Sequence, residues 1–547
     1  MAQPALTAPA RPVSGHPAPV DGRNVPEPSP DGASTLAAFH DPHLTARYVV
    51  QEELKDVIAL CATGDILVSE GYEEDARIQN ALALIRAHWS DYRNTHLVPY
   101  QVILDLGNER IRCREDNSEV VKHARQIFMD AAARGVSDIH LVMDTAGRRG
   151  TLMMRFYGDL REVRQMKLHE TEELASVIYG VMAEEGEGHY NPAAPQKARI
   201  GSASGHLPVE LHGIRIQSTP LLGGSMMVLR LLPVDVGLAG DDLGSQLRAL
   251  GYLDSQCQAI ADLIAFASGI TVISGPTGSG KSTTLVAVLK SILERQGYRN
   301  ILTLEDPPEY RIAGVRQIPV QNDDWGGHIE DVMRLDPDIV MVGEVRSEAG
   351  AAGALQVANT GHLVLTTVHA NSAWKILTRL DDLCVRQENR ALLFDHTVVR
   401  GLIAQRLVQR LCPSCAVPLV EHEDRIPEPE WVRLRGILGA RRLARARWRG
   451  PGCPVCNTSG NPLPGVTGRT VVAEVVTTTR ELMQIARMEG VAAAERAWRA
   501  QAETITIGRH WLMKFANGEI DYGSRGGLDL ALEEERPISS EQTGWLP

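Results

Sequence analysis

The chain has 547 residues, enough for three or four domains, and a formal net charge of −12. Its 44% apolar and 23% charged residues fit a globular protein in water. No apolar run reaches the roughly 18 residues that span a bilayer, and no charged-then-apolar leader opens the chain. An integral membrane protein and a secreted one are thereby disfavoured, and the expected location is the cytoplasm, with any membrane association peripheral. The acidic balance argues against a general nucleic-acid binder. Eight cysteines, four of them in two C-x-x-C pairs, suggest metal before disulfide in a reducing compartment.

Residues 1–36 are rich in Ala, Pro, Ser and Gly and are expected to be a disordered tail. Residues 37–117 mix short strand-like runs (Val57–Leu60, Gln101–Leu106) with a helical pattern near Ile78–Trp89, which predicts a small α/β module without evident chemistry. From 118 to 232 the pattern predicts an α+β domain. It has a helix ending near Gly135, strands over Asp138–Met143 and Leu152–Tyr157, a helix near Glu170–Ala183, and strands over Val209–Ser218 and Ser225–Leu232. Residues 233–250, rich in Gly and Asp, read as a linker.

Residues 251–410 carry the clearest chemistry. The apolar run Gly269–Ser274 leads into Gly275, Pro276, Thr277, Gly278, Ser279, Gly280, Lys281, Ser282 and Thr283, the G-x-x-x-x-G-K-S spacing of a phosphate-binding loop. A helix to about Arg295 follows, with Leu285, Val288, Leu289 and Ile292 on one side. Glycines let backbone N–H groups wrap phosphates at a helix N-terminus, Lys281 adds a point charge, and Ser282 can hold Mg²⁺. The spacing implies a nucleoside triphosphate site. Strands predicted at Ile270–Ser274, Ile301–Leu304, Asp338–Val342 and His362–Thr367 alternate with helices, as in a doubly wound parallel sheet with its site at the strand C-termini.

Acidic residues fall at those strand ends: Asp306 and Glu309 after the second, Glu344 after the third. Hydrolysis needs one carboxylate to help hold Mg²⁺ and another to position or deprotonate water. Taken alone, each is as well explained as a solvated loop residue; several beside a phosphate loop are not. His362 and His369 bracket the fourth strand, either as structural histidines or as a pair sensing the γ-phosphate.

Residues 411–475 hold Cys412, Cys415, Cys453 and Cys456 as two C-P-x-C knuckles, the pattern of a closed structural Zn²⁺ site. A redox dithiol would need only one pair. Between the knuckles, Arg433 to Arg449 with Trp431 and Trp448 form a basic stretch, either a solvated helix face or a surface for anionic lipid or an acidic partner. Cys61, Cys113, Cys257 and Cys384 are scattered and ordinary. Residues 476–530 predict a helical segment and 531–547 a disordered tail.

The segments LTLEDPPEY, LDPDIVMVGEVR, TGHLVLTTVHANSA and LIAQRLVQRLCPSC resemble, in order, the Asp box, Walker B and His box of the type II secretion and type IV pilus assembly ATPases, then the run into their metal module. Upstream, GVSDIHL, MMRFYGDL and APQKARI are similar to further segments of that family. The resemblance implies an α/β fold, a RecA-like P-loop ATPase domain preceded by an α+β (PAS-like) domain, with a small zinc-binding insertion. It implies that Lys281 contacts the β- and γ-phosphates and that Glu344 is the Walker B acid. Asp306 and Glu309 match the Asp box, with Glu309 the general base, and His362 and His369 match the His box. Arg215 and Arg230 match arginines that reach the phosphates from the preceding domain, against the alternative of strand-surface ion pairs. ATP, Mg²⁺ and Zn²⁺ are the implied ligands. The implied partners are a homohexamer, an inner-membrane platform protein and a cytoplasmic docking protein, at the cytoplasmic face of the inner membrane, with no nucleic acid. The work implied is assembly of a pilus or secretion pseudopilus. The rivals are a retraction or conjugation-type motor, a nucleotide-gated scaffold with negligible hydrolysis, and a nucleic-acid translocase reading through the arginine stretch. The chain departs from the family pattern at Ser347, where Asp is common, and at Lys197 and Ala198, where Asp-Gly is usual.

Overall fold

Strands buried on both faces read as continuous apolar runs, and strands with one wet face alternate; this chain contains a seven-stranded sheet of each kind. The computed structural model describes residues 54, 57–61, 63–69, 75–98, 103, 119–186, 189–234, 237–320, 324–384, 387–457, 463–525 and 535–537. The predicted tail 1–36, all of Gln101–Leu106 except Ile103, Cys113, and most of 531–547 lie outside the described residues. The described residues divide into two compact units, one within 1–124 together with Ser176–Met182, the other Arg125–Ala175 with Ala183–Pro547.

In the first unit, β1 (Ile58–Leu60) pairs antiparallel with β2 (Ile66–Ser69), which pairs parallel with β3 (Thr95–Val98). A parallel pair needs a crossover, and α1 (Ala76–His88) supplies it. Its Ile78, Leu82 and Ile85, at helical spacing, are buried with Ile58, Ile66 and Val68. Asp75 caps α1 by accepting from the Arg77 N–H.

Helix α2 (Glu119–Ala133) leads into the second unit. There β4 (Asp138–Asp144), β5 (Arg149–Phe156), β6 (Asp159–Lys167), β7 (Glu185–Gly186), β8 (Gln196–Gly201), β9 (Leu211–Leu221) and β10 (Gly224–Pro233) form one sheet in the order β6-β5-β4-β10-β9-β8-β7. Every pair in it is antiparallel. Helix α3 (Leu168–Val177) follows β6. β5 alternates strictly between buried and wetter positions. The sequence pattern missed β6 and β8, which are charged and offer little apolar periodicity.

The predicted linker 233–250 is only partly one. Asp242 forms a capping box with Ser245 and starts α4 (Leu243–Leu250), whose Leu243 and Leu247 are buried. Then come α5 (Asp254–Ala265), β11 (Gly269–Ser274), α6 (Lys281–Arg295), β12 (Ile301–Glu305), β13 (Arg316–Pro319), α7 (Trp325–Met333), β14 (Ile339–Val342), α8 (Glu348–Asn359), β15 (Leu363–Val368), α9 (Ala373–Leu383), α10 (Gln387–Leu393) and β16 (Val399–Leu411). The cysteine segment contains the small pair β17 (Val417–Pro418) and β18 (Arg447–Trp448) and helix α11 (Glu428–Leu443). β19 (Val466–Thr477) and helices α12 (Arg480–Glu489), α13 (Val491–Arg499) and α14 (Ile507–Ala516) complete the chain's regular elements.

The second sheet runs β13-β12-β14-β15-β11-β16-β19, parallel throughout except for β16 with β19. Its two faces carry separate apolar layers. Ile270, Val272, Val340 and Val342 pack with residues of α7, α8 and α9, whereas Ile273, Ile339 and Met341 pack with α4, α5 and α6. This is the doubly wound arrangement expected from the sequence, with the phosphate loop at a strand C-terminus. β19, placed by the sequence pattern inside the cysteine module, is instead the last strand of this sheet, so the module is shorter than 411–475. Among the described residues no helix is long and apolar enough to cross a membrane.

Candidate nucleotide site and cysteine cluster

β11 ends at Ser274 and the chain turns through Gly275 to Gly280 into α6. Gly278 and Gly280 have φ of 77° and 87°, a region open to glycine. At Gly275 a Cβ would collide with Ser279 Oγ and with the Gln405 carbonyl, so the turn closes only without a side chain. Gln405, fully buried on β16, braces the loop from below. Its Nε2 donates to the Ser279 carbonyl (2.8 Å), and its Oε1 accepts from Tyr252 Oη (2.6 Å) and Thr284 Oγ1 (3.1 Å). Lys281 Nζ donates to the loop carbonyls of Gly275 (2.8 Å) and Pro276 (3.3 Å). Burial pushes its pKa down, and Glu344 and Glu309 oppose that push.

Glu344 follows β14. Its carboxylate meets Arg346 Nη2 at 2.7 Å and His369 Nε2 at 3.0 Å. Burial raises its pKa, but Arg346, His369 and Lys281 outweigh burial and hold it below the usual range. The second ring nitrogen of His369, Nδ1, lies 3.1 Å from the Gly275 carbonyl. A carbonyl and a carboxylate both only accept, so His369 satisfies both when each ring nitrogen carries a hydrogen. It thereby ties the acid to the phosphate loop. Asp306 and Glu309 line the same cavity, and the Glu309 carbonyl accepts from His212 of β9.

His362 does not join them. It precedes β15 at the strand's opposite end, with Nδ1 near Thr360 Oγ1 (3.2 Å) and the Val357 carbonyl (3.3 Å). Ser347 acts locally, its Oγ accepting from the Gly350 N–H (3.3 Å) as the N-cap of α8. Aspartate serves that position equally well, which accounts for the departure from the family pattern.

The antiparallel sheet contributes cations. Arg215 of β9 pairs in register with Arg230 of β10, and Arg230 pairs with Asp138 of β4, so all three share one cross-strand row and one face. Like charges directly opposite each other are unfavourable without an anion between them. Asp138 relieves part of the row, binding Arg230 Nε at 3.0 Å and Arg155 Nε at 3.6 Å. Arg215 and Arg230 line the cavity with Lys281 and Glu344. The cavity holds about 660 Å³, within the usual range for a bound small molecule.

Several residues of this site escaped the sequence reading: Arg155, Arg346, Arg469, Glu305 and Gln405. Arg469 of β19 reaches the Gly278 carbonyl at 3.5 Å. Glu305 ends β12, and burial raises its pKa while Gln317 and Thr303 donate to it at 2.9 and 2.7 Å. The signals for Arg155 and Arg346 were present, since each stands inside a matched segment, MMRFYGDL and LDPDIVMVGEVR. Gln405 also lies inside a matched segment, LIAQRLVQRLCPSC, but nothing in its residue type or spacing pointed to a role at the phosphate loop.

The family model described as "Type II/IV secretion system protein" matches residues 113–520. The chain belongs to this family of secretion ATPases. The type II secretion system protein E of Aeromonas hydrophila is 32% identical over 412 residues, 72% of this chain and 74% of its own length. The corresponding protein of Pseudomonas aeruginosa is 35% identical, over 66% of each chain. The type IV pilus assembly ATPase PilB of Thermus thermophilus is 30% identical over 67% of this chain but only 38% of its own length. Among solved structures, the Legionella pneumophila ATPase DotB aligns with a TM-score of 0.49 at 20% identity, covering 73% of this chain and 94% of its own. The pilus retraction motor PilT aligns at 0.48 and 20%, covering 74% and 97%.

In this secretion ATPase the four cysteines converge although their knuckles are far apart in sequence. All four Sγ atoms lie within 4.8 Å of one another. Cys412 and Cys453 are 3.7 Å apart, and Cys456 lies 3.8 Å from both Cys415 and Cys453. Four sulfurs at about 2.3 Å from a tetrahedral Zn²⁺ stand about 3.8 Å from each other, so the donor set fits that ion. Burial pushes the Cys456 thiol up, but N–H groups of Gly465 (3.3 Å) and Cys453 (3.2 Å) outweigh it and leave a pKa of about 7. The first half of the arginine stretch is the outer side of α11, while Arg445, Arg447 and Arg449 follow the helix, Arg447 on β18. Trp431, Leu434, Ile437 and Leu438 face inward, while Arg433, Arg435 and Arg441 are exposed. Cys61, Cys257 and Cys384 are buried free thiols outside the four-cysteine cluster.

Proposed function

We propose that the chain is a Mg-ATP-hydrolysing hexameric motor that powers assembly of a type IV pilus or a type II secretion pseudopilus. One observation carries the reading: Arg215 and Arg230, from the antiparallel sheet, face the same cavity as Lys281 and Glu344, from the parallel one. In this proposal the N–H groups of Gly278 to Thr283 and the Lys281 ammonium cradle the β- and γ-phosphates. Bound Mg²⁺ would neutralise charge developing on the β- and γ-oxygens, and Ser282 and Glu344 are the residues that would hold it. Glu309 takes the proton of the attacking water, with Asp306 beside it. His369 reports the state of the γ-phosphate through its bond to Glu344, and Arg215 and Arg230 stabilise charge on the transferred group.

The proposed working parts are residues 118–232 as one arm, 251–410 as the nucleotide domain, and the cysteine module as a structural Zn²⁺ site held by Cys412, Cys415, Cys453 and Cys456. Closure of the arm over nucleotide excludes water and strengthens each charge contact; its opening after hydrolysis is the mechanical stroke. The load is an inner-membrane platform protein, reached from the cytoplasmic face with a docking protein. The relatives' names, secretion system protein E and pilus assembly ATPase, support assembly over other work.

The test is ATP hydrolysis by the purified protein with Mg²⁺ over a concentration series, with Glu344→Gln as the blank. Specific activity that rises with concentration, tracking a six-subunit species by light scattering, is expected. Activity no greater than the blank at every concentration, with nucleotide still bound, would replace the motor with a nucleotide-gated scaffold.

A further inference from the structure

A second cavity, of about 640 Å³, lies among α13, α14 and the segment Glu535–Pro537, remote in sequence from the phosphate loop. Four arginines line it (Arg496, Arg499, Arg509 and Arg536) against two glutamates, Glu495 and Glu535. Glu535 and Arg536 belong to the segment itself and cancel, so among the described residues Arg496, Arg499 and Arg509 against Glu495 leave the rest of the lining with an excess of two positive charges, in a chain whose net charge is −12. Arg499 is committed to Glu495, with bonds of 3.1 and 3.2 Å.

The cavity already holds one carboxylate of the chain's own, that of Glu535. The Glu535 carboxylate accepts from Thr506 Oγ1, the side chain that also caps α14 by accepting from the Arg509 N–H (2.9 Å). A carboxylate at that place sits on the positive end of a ten-residue helix. The neighbouring backbone is held as well: Arg509 Nη1 donates to the Arg536 carbonyl and Arg536 Nη1 to the Ala500 carbonyl, each at 3.4 Å. The seat is shaped for a carboxylate, since a Cβ on Gly508 would lie 2.8 Å from Glu535 Oε1. Both long contacts to the segment are weak, and 640 Å³ of space remains beside it.

We propose that this arginine-lined cavity is a binding site for an acidic peptide strand, filled in cis by Glu535 and open to a Glu-rich segment of a partner protein that displaces the tail. Charge complementarity selects the partner, the helix end and Thr506 fix one carboxylate, and Arg496 and Arg509, which stay when the segment leaves, take the others. The tail acts as a tethered competitor, so the outside peptide must outbind a segment at high effective concentration.

The experiment uses the full-length protein and a fluorescein-labelled peptide of residues 530–540 (LALEEERPISS), with its three glutamates changed to glutamine as a control. Anisotropy is expected to give weak binding to wild type and binding about tenfold tighter to Glu535→Gln, in which the competitor is weakened. Adding Arg509→Ala to Glu535→Gln should lower that affinity at least about tenfold. Gly508→Ala, which suits a helix and leaves every arginine in place, should do the same by blocking the seat. The proposal is overturned if Glu535→Gln binds no tighter than wild type, if the glutamine peptide binds as well as the acidic one, or if inorganic phosphate displaces the peptide no less effectively than unlabelled peptide does.

Discussion

The two seven-stranded sheets of this molecule deliver chemistry in different ways. The parallel strands are buried on both faces, so their functional groups stand at strand ends: Gly275 after β11, Glu344 after β14, His369 after β15, with only the antiparallel pair β16 and β19 adding Gln405 and Arg469 from within a strand. The antiparallel sheet has an open face, and its functional groups form a row across strands, Asp138–Arg230–Arg215. The first arrangement leaves its signal in consecutive residues. The second depends on register, with members about 15 to 90 residues apart in sequence, and no run of residues announces it.

The largest expected effect tests the strand-end half. Lys281→Ala should abolish productive ATP binding and lower turnover by about 10²-fold or more, whereas Glu344→Gln should bind ATP and stall. Normal affinity and turnover in Lys281→Ala, measured by titration and phosphate release, would remove the phosphate loop from the site. Next, between β18 and β19, Cys456→Ser should weaken zinc binding more than about 100-fold, since even outer partners of a metal site are worth about 10–100-fold. Unchanged zinc content by mass spectrometry would strike Cys456 from the donor set.

The row can be tested against the strand ends more finely. Arg215→Gln should lower turnover about 10- to 100-fold yet change the stability of the folded, nucleotide-free protein by no more than about 0.5 kcal/mol, because relief of burial and of the like charge of Arg230 offsets the loss of attraction to Asp306 and Glu309. Arg230→Gln should lose similar turnover but cost about 1 kcal/mol, since Asp138 loses a donor. Equal stability changes in denaturant titrations would mean that the row carries no internal repulsion.

Two smaller effects concern the supports of the parallel sheet. His510 is fully buried, with Nδ1 accepting from the Ala473 N–H of β19 at 3.0 Å. Burial, aided by Lys514, pushes its pKa down to about 3, against an ordinary value of about 6.5 when unfolded. Between those values the unfolded chain binds a proton that the folded one refuses, so stability should fall as pH drops from about 6.5 towards 3. Calorimetry of His510→Asn should show a flatter profile over that window; an identical slope would clear His510. Last, Ser347→Ala should cost about 1 kcal/mol as a lost cap, with Ser347→Asp close to neutral in stability and turnover.

Much of the nucleotide site was legible because its residues sit in contiguous motifs whose spacing is set by one turn. What was not legible follows from geometry. His362 and His369 look equivalent in sequence, but the six-residue strand between them puts them about 20 Å apart, at opposite ends of the central strand β15. Gln405 lies in the apolar run of β16, and nothing there marks it as the brace of a loop that starts 130 residues earlier. β6 and β8 were missed because exposed positions in β6 and polar residues in β8 remove the apolar alternation that identifies strands. The linker ended early because Asp242 and Ser245 form a cap, which a composition rich in Gly and Asp concealed.

β16 and β19 are a single two-stranded ribbon, paired from Gly401 with Thr477 to Leu411 with Val466. Midway along it Gln405 grips the phosphate loop, and at its tip stand Cys412 on one strand and Gly465, whose N–H touches Cys456, beside the other. A ribbon clamped at its tip resists torsion along its whole length. In the proposed motor, a metal held by the cysteine cluster would therefore bear on how stiffly the loop braced by Gln405 is held. Oxidation at the cluster would reach the reaction mechanically, slowing a molecule in which every phosphate-facing residue is intact.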